Sequence, residues 1–146
     1  MNTLFGDSLH TLMHSYRNQL RESAVAAGIS IPVSHIRTLK CISKIHNCSA
    51  KDIANTLSLD KSQVTRALKE LVNEGYVDKK RSPCNHRTQL LTLTQTGNEL
   101  LNDLIALDQA TVQNMTQNLS QQQIEDFIRI TETMVSNLSP SGISNK

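Results

Sequence analysis

Lys61, Ser62, Gln63, Thr65, Arg66 and Lys69 put six side chains able to donate hydrogen bonds into one short stretch, and Arg81, His86 and Arg87 follow soon after. Donors and cations at this density suit the recognition of a polyanion, because phosphate oxygens accept hydrogen bonds and carry the opposite charge. Catalysis needs other groupings. Cys84 and His86 are the nearest approach to a nucleophile and a base, but no third group orients them. The chain offers no phosphate-cradling glycine loop and no paired catalytic carboxylates, so an enzyme is not expected. His46 and Cys48 lack a second pair of ligands, so neither a metal nor a cofactor is expected.

The charge distribution agrees. Residues 1–59 carry six Lys/Arg against three Asp/Glu, residues 60–94 carry seven against four, and residues 95–146 carry two against six. A basic front and an acidic rear fit a protein that turns one surface toward a polyanion and keeps the other for a different task. The 146 residues suffice for one domain or two small ones, and with 3 % aromatics the core must be aliphatic. No basic-then-apolar leader opens the chain, and no apolar run approaches the roughly 18 residues of a membrane span, so a cytoplasmic protein with no membrane partner is expected. Three irregularly spaced cysteines argue for free thiols rather than a disulfide framework.

The elements that must carry these donors are mostly helical. Leu9, Leu12, Met13, Tyr16, Leu20 and Ala24 recur at three- and four-residue steps, which predicts a helix over about 7–27 with Gly28 as its stop. A second helix is expected to open near Pro32, with Ile36, Leu39, Ile42 and Ile45 as its stripe. Ser49 with Asp52, then Asp60 with Gln63, are capping-box patterns that start a short third helix and a longer fourth. Residues 76–80 and 88–94 read as two strands, joined by turn-forming Ser82, Pro83 and Asn85. A fifth helix follows from Thr94, and Ser120 with Gln123 caps a sixth.

A short helix, a tight break and a longer helix outline a helix-turn-helix, whose second helix lies in the DNA major groove. With Val64, Ala67, Leu68 and Leu71 turned inward, the six donors face out. Gln63 and Arg66 suit two-pronged contacts with adenine and guanine, while Ser62 and Thr65 suit the backbone. The hairpin then reads as a wing whose Arg87 reaches the minor groove, with His86 and the Lys79, Lys80, Arg81 run neutralising nearby phosphates.

The stretch "SAKDIANTLSLDKSQVTRALKELVNEGYVDKKRSPCNHRTQLLTLTQTGNELL", flanked by helices, resembles the MarR/SlyA family of bacterial winged-helix transcription regulators. The wing matches the family's pattern of an arginine, a spacer and Leu-Thr-x-x-Gly at Arg87, Leu93, Thr94 and Gly97. The segment "SQVTRALKELVNEGYV" matches its Val-Thr-Arg core. One departure is Asn85, which stands where the family usually has an Asp that steadies the wing arginine. An amide accepts a hydrogen bond but forms no ion pair.

The resemblance implies a mainly α fold with a small β-hairpin wing, a winged helix-turn-helix lobe over residues 31–94, dimerisation helices at 1–30 and 95–140, and a flexible tail at 141–146. It implies a homodimer on a pseudo-palindromic double-stranded operator, and a repressor released by a small organic anion. Leu9, Leu12, Leu104, Ile105, Phe127, Ile128 and Met134 offer the apolar surface such a clasp needs. His14, Tyr16, Arg17 and His35 are the candidate effector pocket. Cys84, among Arg81, His86 and Arg87, is a candidate redox sensor, with Cys41 assigned to helix packing and Cys48 to a loop. The alternatives are a redox-responsive regulator acting through Cys84 and a winged-helix module that binds protein instead of DNA.

Overall fold

Capping and periodicity produce the helices where the side chains can close them. The structure, a computed structural model, describes residues 2–32 and 35–139. In chain order its elements are α1 (Asn2–Ala26), α2 (His35–Lys44), α3 (Ala50–Leu57), α4 (Lys61–Asn73), β1 (Val77–Arg81), β2 (Gln89–Leu93), α5 (Gln95–Met115) and α6 (Gln121–Leu138). Ser49, Asp60 and Ser120 each form a complete capping box, with Asp52, Gln63 and Gln123 as the returning side chains. The final residues, including Pro140 and the expected tail, lie outside the described residues.

α2 is described from His35, whose N–H donates to the carbonyl of Pro32, the proline expected near its start, at 3.0 Å. α1 starts earlier than its apolar stripe suggested, at Asn2. Between α3 and α4 the break falls at Ser58, held in the left-handed region at φ 56°. At the end of α4, Gly75 (φ 83°) lets the chain reverse while the Tyr76 N–H returns to the Leu71 carbonyl at 2.9 Å.

β1 and β2 pair antiparallel, from Val77 opposite Leu93 to Arg81 opposite Gln89. On its other edge β2 takes one more rung, with the Leu91 N–H donating to the Cys48 carbonyl at 2.8 Å. Cys48 is therefore not a simple loop residue. Its side chain is fully buried, and desolvation pushes the thiol up to about 11, the Asp52 charge adding to the effect.

One core serves the lobe. Ile36, Leu39, Ile42, Ile53, Val64, Leu68, Leu71, Val77 and Leu91 pack with Leu100, Leu101 and Leu104 of α5. Leu104, expected in an apolar clasp, is instead fully buried here, and Ile105 packs partly against the same core. The first half of α5 thus belongs to the packing of the winged lobe, as the helical period alone could not show.

The chain divides into two compact units, one through Thr111 and one from Val112. In the first, α1 buries Leu20 and Ala24 but leaves Leu4, Phe5, Leu9, Leu12 and Met13 exposed. In the second, α6 buries none of its residues, and Phe127, Ile128, Ile130 and Val135 are open. Isolated helices of this length are marginal in water, so α6 needs packing that its own unit does not supply.

Candidate nucleic-acid interface

The donor face is assembled by the cap that starts α4. Asp60 Oδ1 accepts the Gln63 N–H and the Ser62 hydroxyl, both at 2.8 Å, while the Asp60 N–H donates to Gln63 Oε1 at 3.0 Å. These bonds, the Gln63 N–H foremost and then the Ser62 hydroxyl, hold the Asp60 carboxyl below the usual carboxylate range, with the Arg66 charge assisting. A depressed carboxyl stabilises the fold above its ordinary titration range and loses that contribution as the pH falls through its folded value, so the cap is intact at neutral pH. Val64, Leu68 and Leu71 are buried on the inner side. Lys61, Ser62, Gln63, Thr65, Arg66 and Lys69 are all exposed on the other, as the sequence pattern anticipated.

The wing tip closes on itself without an ion pair. Ser82 N–H donates to the Thr88 carbonyl at 2.9 Å, Thr88 N–H to the Asn85 carbonyl at 3.0 Å, and Cys84 N–H to Ser82 Oγ at 3.2 Å. Asn85 Oδ1 accepts the Arg87 N–H at 3.0 Å. The residue that departs from the family's Asp therefore orders the Arg87 backbone, while its neutral amide leaves the guanidinium charge uncompensated. Arg81, His86 and Arg87 are exposed, and so is Cys84. Among the described residues the recorded ion pairs are His35–Glu70 and Arg129–Asp126, so none of the α4 or wing cations is held in a salt bridge.

Gly97 fixes where the wing joins α5. A Cβ there would stand 2.1 Å from the Tyr76 carbonyl oxygen, so the helix and the start of the hairpin touch backbone to side-chain-free backbone. Thr94 completes the joint. Its Oγ1 donates to the Gly75 carbonyl at 2.7 Å and accepts the Gly97 N–H at 3.0 Å.

Three of the four residues expected to line an effector pocket have separate partners. His14 hydrogen-bonds Asn18 at 3.0 Å, the Tyr16 hydroxyl donates to Asp108 of α5, and His35 meets Glu70 of α4 at 2.8 Å. Arg17 is exposed, and among the described residues none of the four hydrogen-bonds another. The Tyr16–Asp108 and His35–Glu70 bonds escaped sequence reasoning because they join residues 92 and 35 positions apart.

Partial burial first, then the bond to Asp108 and its charge, push the Tyr16 phenol up from 10.0 to about 12. A raised phenol favours the fold fully below its unfolded value and loses that contribution as the pH climbs through the folded one. The Tyr16 contribution is thus complete below about pH 10 and gone above about pH 12. Tyr16→Phe is expected to cost roughly 1 kcal/mol at neutral pH, the bond being half open to solvent. In an ultraviolet difference titration the variant should lack the step near pH 12. Loss of a step at the ordinary phenol value instead would show that Asp108 does not hold this hydroxyl.

A capped helix-turn-helix with an exposed donor face, followed by an ordered cationic hairpin, defines a winged helix-turn-helix protein. The MarR family model matches residues 31–88, the lobe that carries both the donor face and the wing tip. The HTH-type transcriptional regulator BilQ of Clostridioides difficile is 35% identical over 63 residues, a match that spans 43% of this chain and 43% of that protein. YwhA of Bacillus subtilis, an uncharacterized HTH-type transcriptional regulator, is 26% identical over 123 residues, covering 82% of this chain and 88% of the relative. Among solved structures, a serine-for-cysteine variant of MarR from E. coli, complexed with operator DNA, superposes with a TM-score of 0.79 at 22% identity, covering 88% of this chain and 91% of that one. The lobe over residues 31–88 thus matches the MarR family, and the chain shares the fold of solved MarR structures.

Proposed function

We propose that the protein is a homodimeric transcription regulator that binds a pseudo-palindromic double-stranded DNA site, and that it works in the cytoplasm without catalysis. The observation that carries this reading is the face of α4. Six exposed donors stand at the first turns of a capped second helix, none of them in a salt bridge, beside a wing whose Arg87 is positioned from its own backbone. Lys61, Lys69, Arg81 and His86 meet phosphates, Thr65 holds the register, with Ser62 joining it only by releasing its bond to Asp60, Gln63 and Arg66 read base edges, and Arg87 enters the minor groove.

A second copy of the chain supplies what the exposed apolar stripes of α1 and α6 lack. Two-fold symmetry then sets the half-sites about one helical turn apart. MarR from E. coli has been solved complexed with operator DNA, and the likeness of fold supports the same partner here. Repression relieved by an organic anion fits the same reading. Such a ligand would compete with Asp108 for the Tyr16 hydroxyl, or with Glu70 for His35, and so act on α5 or α4.

Selection from random duplexes, run beside sedimentation of the free protein, tests the proposal. A recovered palindrome with half-sites one turn apart and a dimer in solution are the expected results. A stable monomer that enriches no duplex at low salt would overturn it. No helix among the described residues is long and apolar enough to cross a membrane.

A further inference from the structure

The capping box that starts α4 also decides which base Gln63 reads. The Asp60 N–H needs an acceptor, and the only acceptor on the Gln63 amide is Oε1, so their 3.0 Å bond settles which way the amide faces. One of the two lone pairs of Oε1 is thereby taken. Nε2, with two N–H donors, has no partner among the described residues and sits on the exposed face. Ser62 is committed in the same way, since its one hydroxyl proton goes to Asp60 Oδ1 at 2.8 Å.

Adenine presents a donor beside an acceptor in the major groove, and a glutamine reads it by offering its oxygen and nitrogen together. For Gln63 that contact would have to share Oε1 with the Asp60 N–H, in the amide orientation that bond already sets. Guanine presents two neighbouring acceptors, O6 and N7, and asks only for donors. Arg66, one turn further along the exposed face, is also a donor without an acceptor. The adenine contact expected from residue type alone is therefore the costlier one. We propose that Gln63, locked by its own capping box, acts as a donor-only probe that selects guanine at one position of each half-site. This rests on the DNA-binding reading above and adds the base to it.

The test is duplex selection with the wild-type chain and with Gln63→Glu. Glutamate keeps the capping box, because a carboxylate oxygen accepts the Asp60 N–H equally well, so thermal melting should be unchanged. Its outward end, however, becomes an acceptor, which matches the amino group of cytosine. The wild type is expected to enrich guanine at one position per half-site, and the variant to shift that position alone toward cytosine by about fivefold or more. Gln63→Ala, which adds no charge, should lose the guanine preference there and gain no other. Adenine at the position read by the wild type, or logos that do not differ among the three proteins, would overturn the inference while leaving DNA binding in place. A wild type that enriches no site at all would remove the underlying reading, and the inference with it.

Discussion

Gly97→Ala is expected to destabilise the fold by about 3 kcal/mol or more, and so to lower the melting temperature by roughly 10 °C. The added carbon would meet the Tyr76 oxygen at 2.1 Å, and the neighbouring carbonyl carbon at 3.0 Å. Both are backbone atoms, so no side chain can swing aside. Relief requires α5 to move away from the start of the hairpin, which disturbs the bonds of Thr94 to Gly75 and Gly97 and the packing of Leu100 and Leu101. Gly6 provides the contrast. Nothing lies within 4 Å of a Cβ built there in α1, so Gly6→Ala should stabilise by up to about 1 kcal/mol through helix propensity. Calorimetry of both variants at one protein concentration checks the pair, since dimerisation makes melting concentration-dependent. Equal melting temperatures would mean that the close approach at Gly97 is not real.

The second large effect concerns binding. Arg87→Ala should weaken operator binding by about tenfold or more, with two copies lost per dimer, and should make the slope of log affinity against log salt shallower by about 2. The side chain carries no fold-stabilising partner among the described residues, so dimer assembly and melting should not change. Its backbone N–H remains held by Asn85, so the tip itself should stay ordered in the variant. Fluorescence anisotropy across a salt series measures the affinity and its slope, and sedimentation the dimer. Unchanged affinity and slope would remove the wing from the interface.

The candidate site was legible in the sequence where its cause is local. The two caps of the helix-turn-helix follow from Ser49, Asp52, Asp60 and Gln63, because a capping box spans three residues and needs only its own turn. The outward placement of Lys61, Gln63, Arg66 and Lys69 follows from the helical period once Val64, Leu68 and Leu71 are turned inward. The wing follows from alternation around turn-forming residues. For Asn85 the sequence showed an amide that accepts a hydrogen bond without forming an ion pair, but not which donor it accepts: that this is the Arg87 backbone N–H depends on how the tip folds back.

Cys48, Leu104 and Gly97 show where local pattern runs out. Cys48 makes a single rung against Leu91, and one rung has no period to detect. Leu104 has the same spacing as its neighbours on α5, and only its meeting with the other elements of the lobe buries it. Gly97 stood in the sequence as part of a motif, but the 2.1 Å approach to Tyr76 that demands a glycine exists only once the hairpin returns to α5.

By itself, then, the sequence determined the class of element at each place, its caps and its polar face, because those depend on interactions within one or two turns of chain. Tertiary structure alone decided which apolar residues the lobe encloses and which stay exposed on α1 and α6. It also decided which polar atoms remain free for DNA: one lone pair of Gln63 Oε1 is taken and Nε2 is not. A hydrogen bond or a contact between distant residues depends on where two elements meet, and spacing along the chain carries no measure of that distance.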